Sequence, residues 1–137
     1  MLLNTSLIKN LTMNNNQPVY LNLFKIKLPL PGIVSLLHRV TGVVLFLAIP
    51  FSLYLLQLSM HDEVDFQRAV DLLNHPLILL FEVIIFTALI YHFFAGIRFL
   101  LMDIDIGEDK KPAETSSWIV LVATAFSSLV FIIMRVF

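Results

Sequence analysis

Apolar residues in this chain run in long unbroken blocks. They show neither the stripes of a half-buried helix nor the alternation of a surface strand. Val40 to Met60, VTGVVLFLAIPFSLYLLQLSM, contains 21 residues and no charge. A hydrocarbon core of about 30 Å is crossed by roughly 20 helical residues, so this block alone is long enough to span. The helix is expected to start just after Pro29 and Pro31, since proline is tolerated in a first turn. Pro50 is expected to kink it. A second span is expected from Pro76 to Met102, around VIIFTALIYHFFAGI, with Glu82 near one end, His92 inside and Arg98 near the other. The third, Ser116 to Met134, is uncharged across 19 residues, and Trp118 and Phe137 suit its interfacial ends.

The stretches between the blocks set the organisation. The first, HDEVDFQRAVDLLNH, carries four acids and one arginine, and the second, DIDIGEDKKPAET, carries Lys110 and Lys111. The expected division is an N-terminal arm over 1–30, a first transmembrane helix over 31–60 and an outer loop over 61–75. A second helix over 76–103, an inner loop over 104–115 and a third helix over 116–137 follow. Lys9, Lys25, Lys27, Arg39, Arg98, Lys110 and Lys111 fall on one side, against Arg68 and Arg135 on the other. Seven cations against two place the N-terminus and the second loop inside and the C-terminus outside. The fold class is therefore an all-α membrane protein of three transmembrane helices. It is expected to form part of a larger heteromeric helix bundle. No internal repeat is visible, which argues against a transporter built from duplicated halves.

Composition sharpens this picture. The 137 residues are 58% hydrophobic and 14% charged, and mean hydropathy is +0.88, whereas soluble domains carry about 25% charged residues. A net charge of −1 gives no footprint for nucleic acid. With no cysteine, disulfides, Fe–S ligation and thioether-linked haem are excluded, so any metal must rest on His, Met or carboxylate. The opening MLLNTSLIKNLTMNNNQPVY lacks the order of a secretory signal. It reads as a polar, partly flexible arm, least ordered at Asn14, Asn15 and Asn16. It is also not an Arg-rich, acid-poor leader, which points to a bacterial inner membrane rather than a mitochondrial one.

Ionisable groups at membrane depth are costly and mark function by default. His38, Arg39, His92 and Arg98 are such groups. Ser35 lies three and four residues before His38 and Arg39, so the three share a helix face, which Gly42 continues. Arg39 lies about 12 Å along its helix from Pro31, and His92 about 15 Å from Met102 at the end of the second span. Both therefore fall at similar depth in one leaflet, and a cofactor between the helices would touch both. Ala88 and Gly96 flank His92 at four-residue spacing. Such small residues permit close helix packing and equally admit a flat macrocycle beside an axial imidazole. A lone intramembrane histidine also serves as an interhelical hydrogen-bonding residue, and the stripe leaves both readings open. Arg98, four residues from Met102, is expected to snorkel to the headgroups. Glu82 is expected to reach the opposite interface, and His61 and His75 to be solvated.

Two runs resemble a known family. Pro18-Val19, Leu23 and Ser35-Leu36-Leu37-His38-Arg39-Val40-Thr41-Gly42 resemble one signature of the succinate dehydrogenase cytochrome b556 subunits. The run His92-Phe93-Phe94-Ala95-Gly96-Ile97-Arg98-Phe99-Leu100-Leu101-Met102-Asp103 is similar to the other. The resemblance covers residues 17–103 directly and the third span by topology. It departs at Gln17, where the family usually has arginine before the proline, which bears on docking of soluble subunits. The resemblance implies one haem b, shared with a second membrane-anchor subunit that supplies the other axial ligand. His92 would ligate the iron, with His38 and Arg39 near the propionates. Ser35 and Arg39 would hold ubiquinone, the substrate. Flavoprotein and iron–sulfur subunits would dock on the inner face, and the chain alone would have no succinate chemistry. Asp103 closes the motif without an assigned role. The anchor of a fumarate reductase running in reverse is the nearest alternative. A cofactor-free structural membrane subunit is another, and a colourless complex would favour it.

Overall fold

The computed structural model describes residues 28–137. The expected arm up to residue 27, with the asparagine run, Gln17, Pro18, Val19 and Leu23, lies outside the described residues. Four helices follow one another, with no strand among the described residues: α1 (Leu30–His61), α2 (Glu63–Leu73), α3 (Pro76–Met102) and α4 (Lys110–Val136). Three of them, α1, α3 and α4, are long and apolar enough to cross a membrane. The chain is an all-α, multi-pass membrane protein.

Local chemistry explains the helix ends. Pro31 lies in the first turn of α1 and Pro76 opens α3, where the missing N–H is one that no carbonyl would have received. Asp62 separates α1 from α2, and its carboxylate accepts the Asp65 N–H at 2.8 Å, an N-cap. The acidic connection thus contains an 11-residue helix, a difference from the loop expected over 61–75. Its apolar residues Phe66, Ala69, Val70 and Leu73 recur at helical spacing, and Ala69 is buried. After α3, the Ile106 N–H reaches back to Leu101 and the Asp105 N–H to Met102. Asp105 takes a left-handed φ of 62°, which makes this a Schellman-type C-cap with aspartate where glycine is usual. Gly107 follows at φ 82°, and α4 begins at Lys110, six residues before the uncharged block.

Packing uses small residues. Ala88, Tyr91, Ala95 and Arg98 form the buried stripe of α3. Ala113, Ser117, Val120, Thr124 and Ser128 form that of α4. Both repeat every three or four residues, and the small side chains let the helix backbones come close. The Ser117 and Thr124 hydroxyls donate to the carbonyls four residues back, Ala113 and Val120, which satisfies them without a partner helix. Phe86 and Phe131 stack at 3.9 Å between centroids. The same stripe of α3 meets α1, where the Tyr91 hydroxyl donates to the Val34 carbonyl at 3.0 Å. α3 is therefore the span that packs most on both neighbours, and Val34 of α1, Tyr91 and Ala95 of α3 and Val120 of α4 meet in one buried cluster.

Candidate functional site

At about 100° per residue, Val34, His38, Thr41 and Gly42 occupy one arc of α1. Ser35 and Arg39 continue that arc away from Val34. The inner part of the arc faces α3. Val34 is fully buried, His38, Thr41 and Gly42 are half-buried, and Arg39 is exposed. On α3 the facing residue is His92. The two imidazoles lie stacked, with centroids 4.0 Å apart and planes 12° from parallel. His38 also meets the Phe99 ring at 5.2 Å. The two helices thus bring their polar positions to one level.

The glycines make room for the rings. A Cβ on Gly42 would sit 3.2 Å from His92 Cε1, tighter than ordinary van der Waals contact. One on Gly96 would meet His38 Nε2 at 3.6 Å. Gly42 therefore does admit a close approach, and the approaching group is the His92 imidazole.

Hydrogen bonding distinguishes the two nitrogens of His92. Nδ1 lies 3.1 Å from the His38 backbone carbonyl and 3.3 Å from Thr41 Oγ1. A carbonyl only accepts, so the ring nitrogen facing it carries the proton. In the neutral imidazole the lone pair is then on Nε2, which has no hydrogen-bond partner among the described residues. An imidazole with Nδ1–H on a carbonyl and a free Nε2 is the arrangement of a metal-ligating histidine. Stacking does not engage that lone pair, because His38 covers the ring face while the lone pair lies in the ring plane.

Ser35 makes no hydrogen bond among the described residues and is half-buried one helical turn before the exposed Arg39. The structure brings His38 and His92 together and leaves Ser35 and Arg39 on the adjoining arc of α1.

Arg98 corrects an expectation. It does not reach toward headgroups but is only 4% exposed. Nε donates to Ser116 Oγ at 2.9 Å and a terminal nitrogen donates to the Ala113 carbonyl at 3.3 Å. The guanidinium also lies 5.1 Å from the Phe99 ring centre. The cause is register: Arg98 lies seven residues from Tyr91 on the buried stripe of α3, where the Ser116 hydroxyl and the Ala113 carbonyl of α4 accept from it. A mostly apolar cavity of about 440 Å³ opens beside it, lined in part by Ile97, Leu101, Ile106 and Pro112.

At the other end of the bundle Glu82 also has a partner within the chain. Arg135 donates to its carboxylate at 3.0 Å and to the Leu73 carbonyl at 2.8 Å. His61 and His75 are exposed as expected. His61 pairs with Asp65 at 3.0 Å, and His75 caps α3 through the Leu77 N–H. Thr41, which the sequence reading quoted without a role, is brought by the structure against His92 Nδ1. Its signal was its place in the same short motif, three residues after His38.

Comparison with known proteins gives a consistent result. Residues 13–131 match the profile of the succinate dehydrogenase/fumarate reductase transmembrane subunits. A succinate dehydrogenase cytochrome b556 subunit of Coxiella burnetii is 37% identical over 113 residues, 82% of this chain and 90% of the relative. That of Rickettsia felis is 34% identical over 110 residues, 80% and 86% of the two chains. The cytochrome b560 subunit of Reclinomonas americana is 32% identical over 129 residues, 90% of each.

Proposed function

Because this chain belongs to the family of succinate dehydrogenase/fumarate reductase transmembrane subunits, we propose that it is the haem b-binding membrane anchor of a succinate dehydrogenase. In this reading it helps form the ubiquinone-reduction site and has no succinate chemistry of its own. The observation that supports it is the meeting of His38 and His92 at one level of α1 and α3, with half-buried Ser35 and exposed Arg39 on the adjoining arc of α1.

The donor set fits a haem. His92 offers Nε2 with Nδ1 held by a carbonyl, and glycine backbones flank the rings. No cysteine competes for the iron. When bound, the haem supplies one-electron redox chemistry beside the quinone site. His92 would be one axial ligand, and a second membrane-anchor subunit would supply the other. Arg39, with His38 beside it, would pair with the propionates through charge-assisted bonds. Arg39 would also stabilise negative charge arising on the quinone oxygen during reduction, and Ser35 would hydrogen-bond a quinone carbonyl and orient it.

The partners follow from this role: an iron–sulfur subunit and a flavoprotein on the face that carries the N-terminus, and the second anchor within the bilayer. The seven-to-two cation distribution supports an N-terminus inside and a C-terminus outside, in a bacterial inner membrane.

Arg39→Leu tests the quinone site. The complex should lose at least tenfold in succinate-driven ubiquinone reduction and keep its succinate oxidation by an artificial acceptor that bypasses the membrane. Unchanged ubiquinone kinetics would remove Arg39 from the site.

A further inference from the structure

The Thr41 hydroxyl lies beside the nitrogen of His92 that the iron would not use, and its proton is already committed. Oγ1 is 2.9 Å from the Leu37 carbonyl and 2.9 Å from the His38 carbonyl. Neither carbonyl can donate, so the single hydroxyl proton is spent on them. What remains on Oγ1 is acceptor capacity, directed at His92 Nδ1 at 3.3 Å. Nδ1–H is thus shared between the Thr41 oxygen and the His38 carbonyl at 3.1 Å. Both belong to one turn of α1, while the imidazole belongs to α3. Beside that nitrogen the ring is bounded by the backbone of Gly42, where even a methyl group would press on Cε1 at 3.2 Å and lie 3.7 Å from Nδ1.

We propose that Thr41 is a positioning residue for the His92 imidazole: its hydroxyl oxygen and the His38 carbonyl together fix the ring's tautomer and its rotation, with Gly42 as the stop. The proposal rests on the reading of His92 as an axial ligand. The chemistry explains why a hydroxyl stands here. Only a group that donates to its own helix and accepts from a neighbour can fill the role, so serine substitutes for threonine and valine, of the same shape, does not. A second acceptor on Nδ1–H makes the imidazole a stronger electron donor, which favours ferric over ferrous iron.

The test uses the complete complex, with haem content measured beside two readouts that do not depend on turnover. These are the midpoint potential of the haem and the position of its low-spin paramagnetic resonance signal, which reports axial ring orientation. Thr41→Val should keep haem, raise the midpoint potential and move the resonance, while Thr41→Ser should match the wild type. Gly42→Ala, which presses on the ring at Cε1 beside Nδ1, should also move the resonance. Loss of haem from Thr41→Val but not from Thr41→Ser supports the hydroxyl role equally. A haem-replete Thr41→Val complex with wild-type potential and resonance overturns the proposal, as does a lowered potential or a Thr41→Ser variant that behaves like Thr41→Val. A wild-type complex without haem would instead remove the axial-ligand reading beneath it, and this proposal with it.

Discussion

A guanidinium inside a bilayer persists only if its N–H donors find acceptors or its stem carries it to the headgroups. Arg98 takes the first course with two of its nitrogens, through Ser116 and the Ala113 carbonyl of α4, while the other terminal nitrogen is buried without a partner among the described residues. The fork geometry makes two bonds at once, which a lysine ammonium on a shorter reach does not reproduce. Arg98→Lys should therefore weaken the α3–α4 contact by roughly 1.5–3 kcal/mol, the range for hydrogen bonds to a charged group. The measurement is the thermal midpoint of the purified complex. Lysine snorkels as well as arginine does, so an unchanged midpoint would return Arg98 to the headgroup role. At this scale the sequence exposed the polar positions but not their partners. Arg98 lies four residues from Met102, and nothing in that spacing shows that a serine of another helix faces it. His38 and His92 were both legible as intramembrane histidines. Their stacking required the relative rotation of two helices that are apolar on nearly every side.

Among the elements, α2 is the one that composition concealed. Its acids and arginine read as a loop, although Phe66, Ala69, Val70 and Leu73 already showed helical spacing and Asp62 stood where an N-cap belongs. The Asp62 carboxyl is held below the usual carboxylate value, chiefly because the ionised form accepts the Asp65 N–H, with exposed His61 adding a smaller attraction. A depressed value in the folded state contributes stability that is complete above the ordinary carboxylate range of about 4. That contribution is lost as pH falls through the lowered value. The start of α2 should accordingly fray on acidification, seen as faster hydrogen exchange at the Asp65 amide after correction for the intrinsic rate. Asp62→Asn, which caps without a charge, should remove that acid dependence. If it persists in the variant, another group governs the end of α2. The Glu82–Arg135 pair follows a similar logic at the same end of the bundle. Both charges were visible near span ends, but their 3.0 Å contact depends on how α3 and α4 align.

In the whole molecule, the spans were legible because charge-free runs of this length have few alternatives. The faces were not, because an all-apolar helix carries little periodic signal. The chain buries small residues and leaves large ones outside: Phe46 is 70% exposed, Phe126 68% and Met134 78%. Such a surface suits lipid and neighbouring membrane helices rather than water. It agrees with a subunit whose haem would take a ligand from each of two chains. The role of His92 as a haem ligand is the central claim, since the proposed quinone site, second anchor and positioning by Thr41 would all be arranged around it. The direct measurement is a dithionite-reduced minus oxidised absorption spectrum of membranes containing this chain with its partner subunits, wild type beside His92→Leu. The account predicts a b-type α-band in the wild type that is lost or altered in the variant. An unchanged α-band in His92→Leu would contradict it.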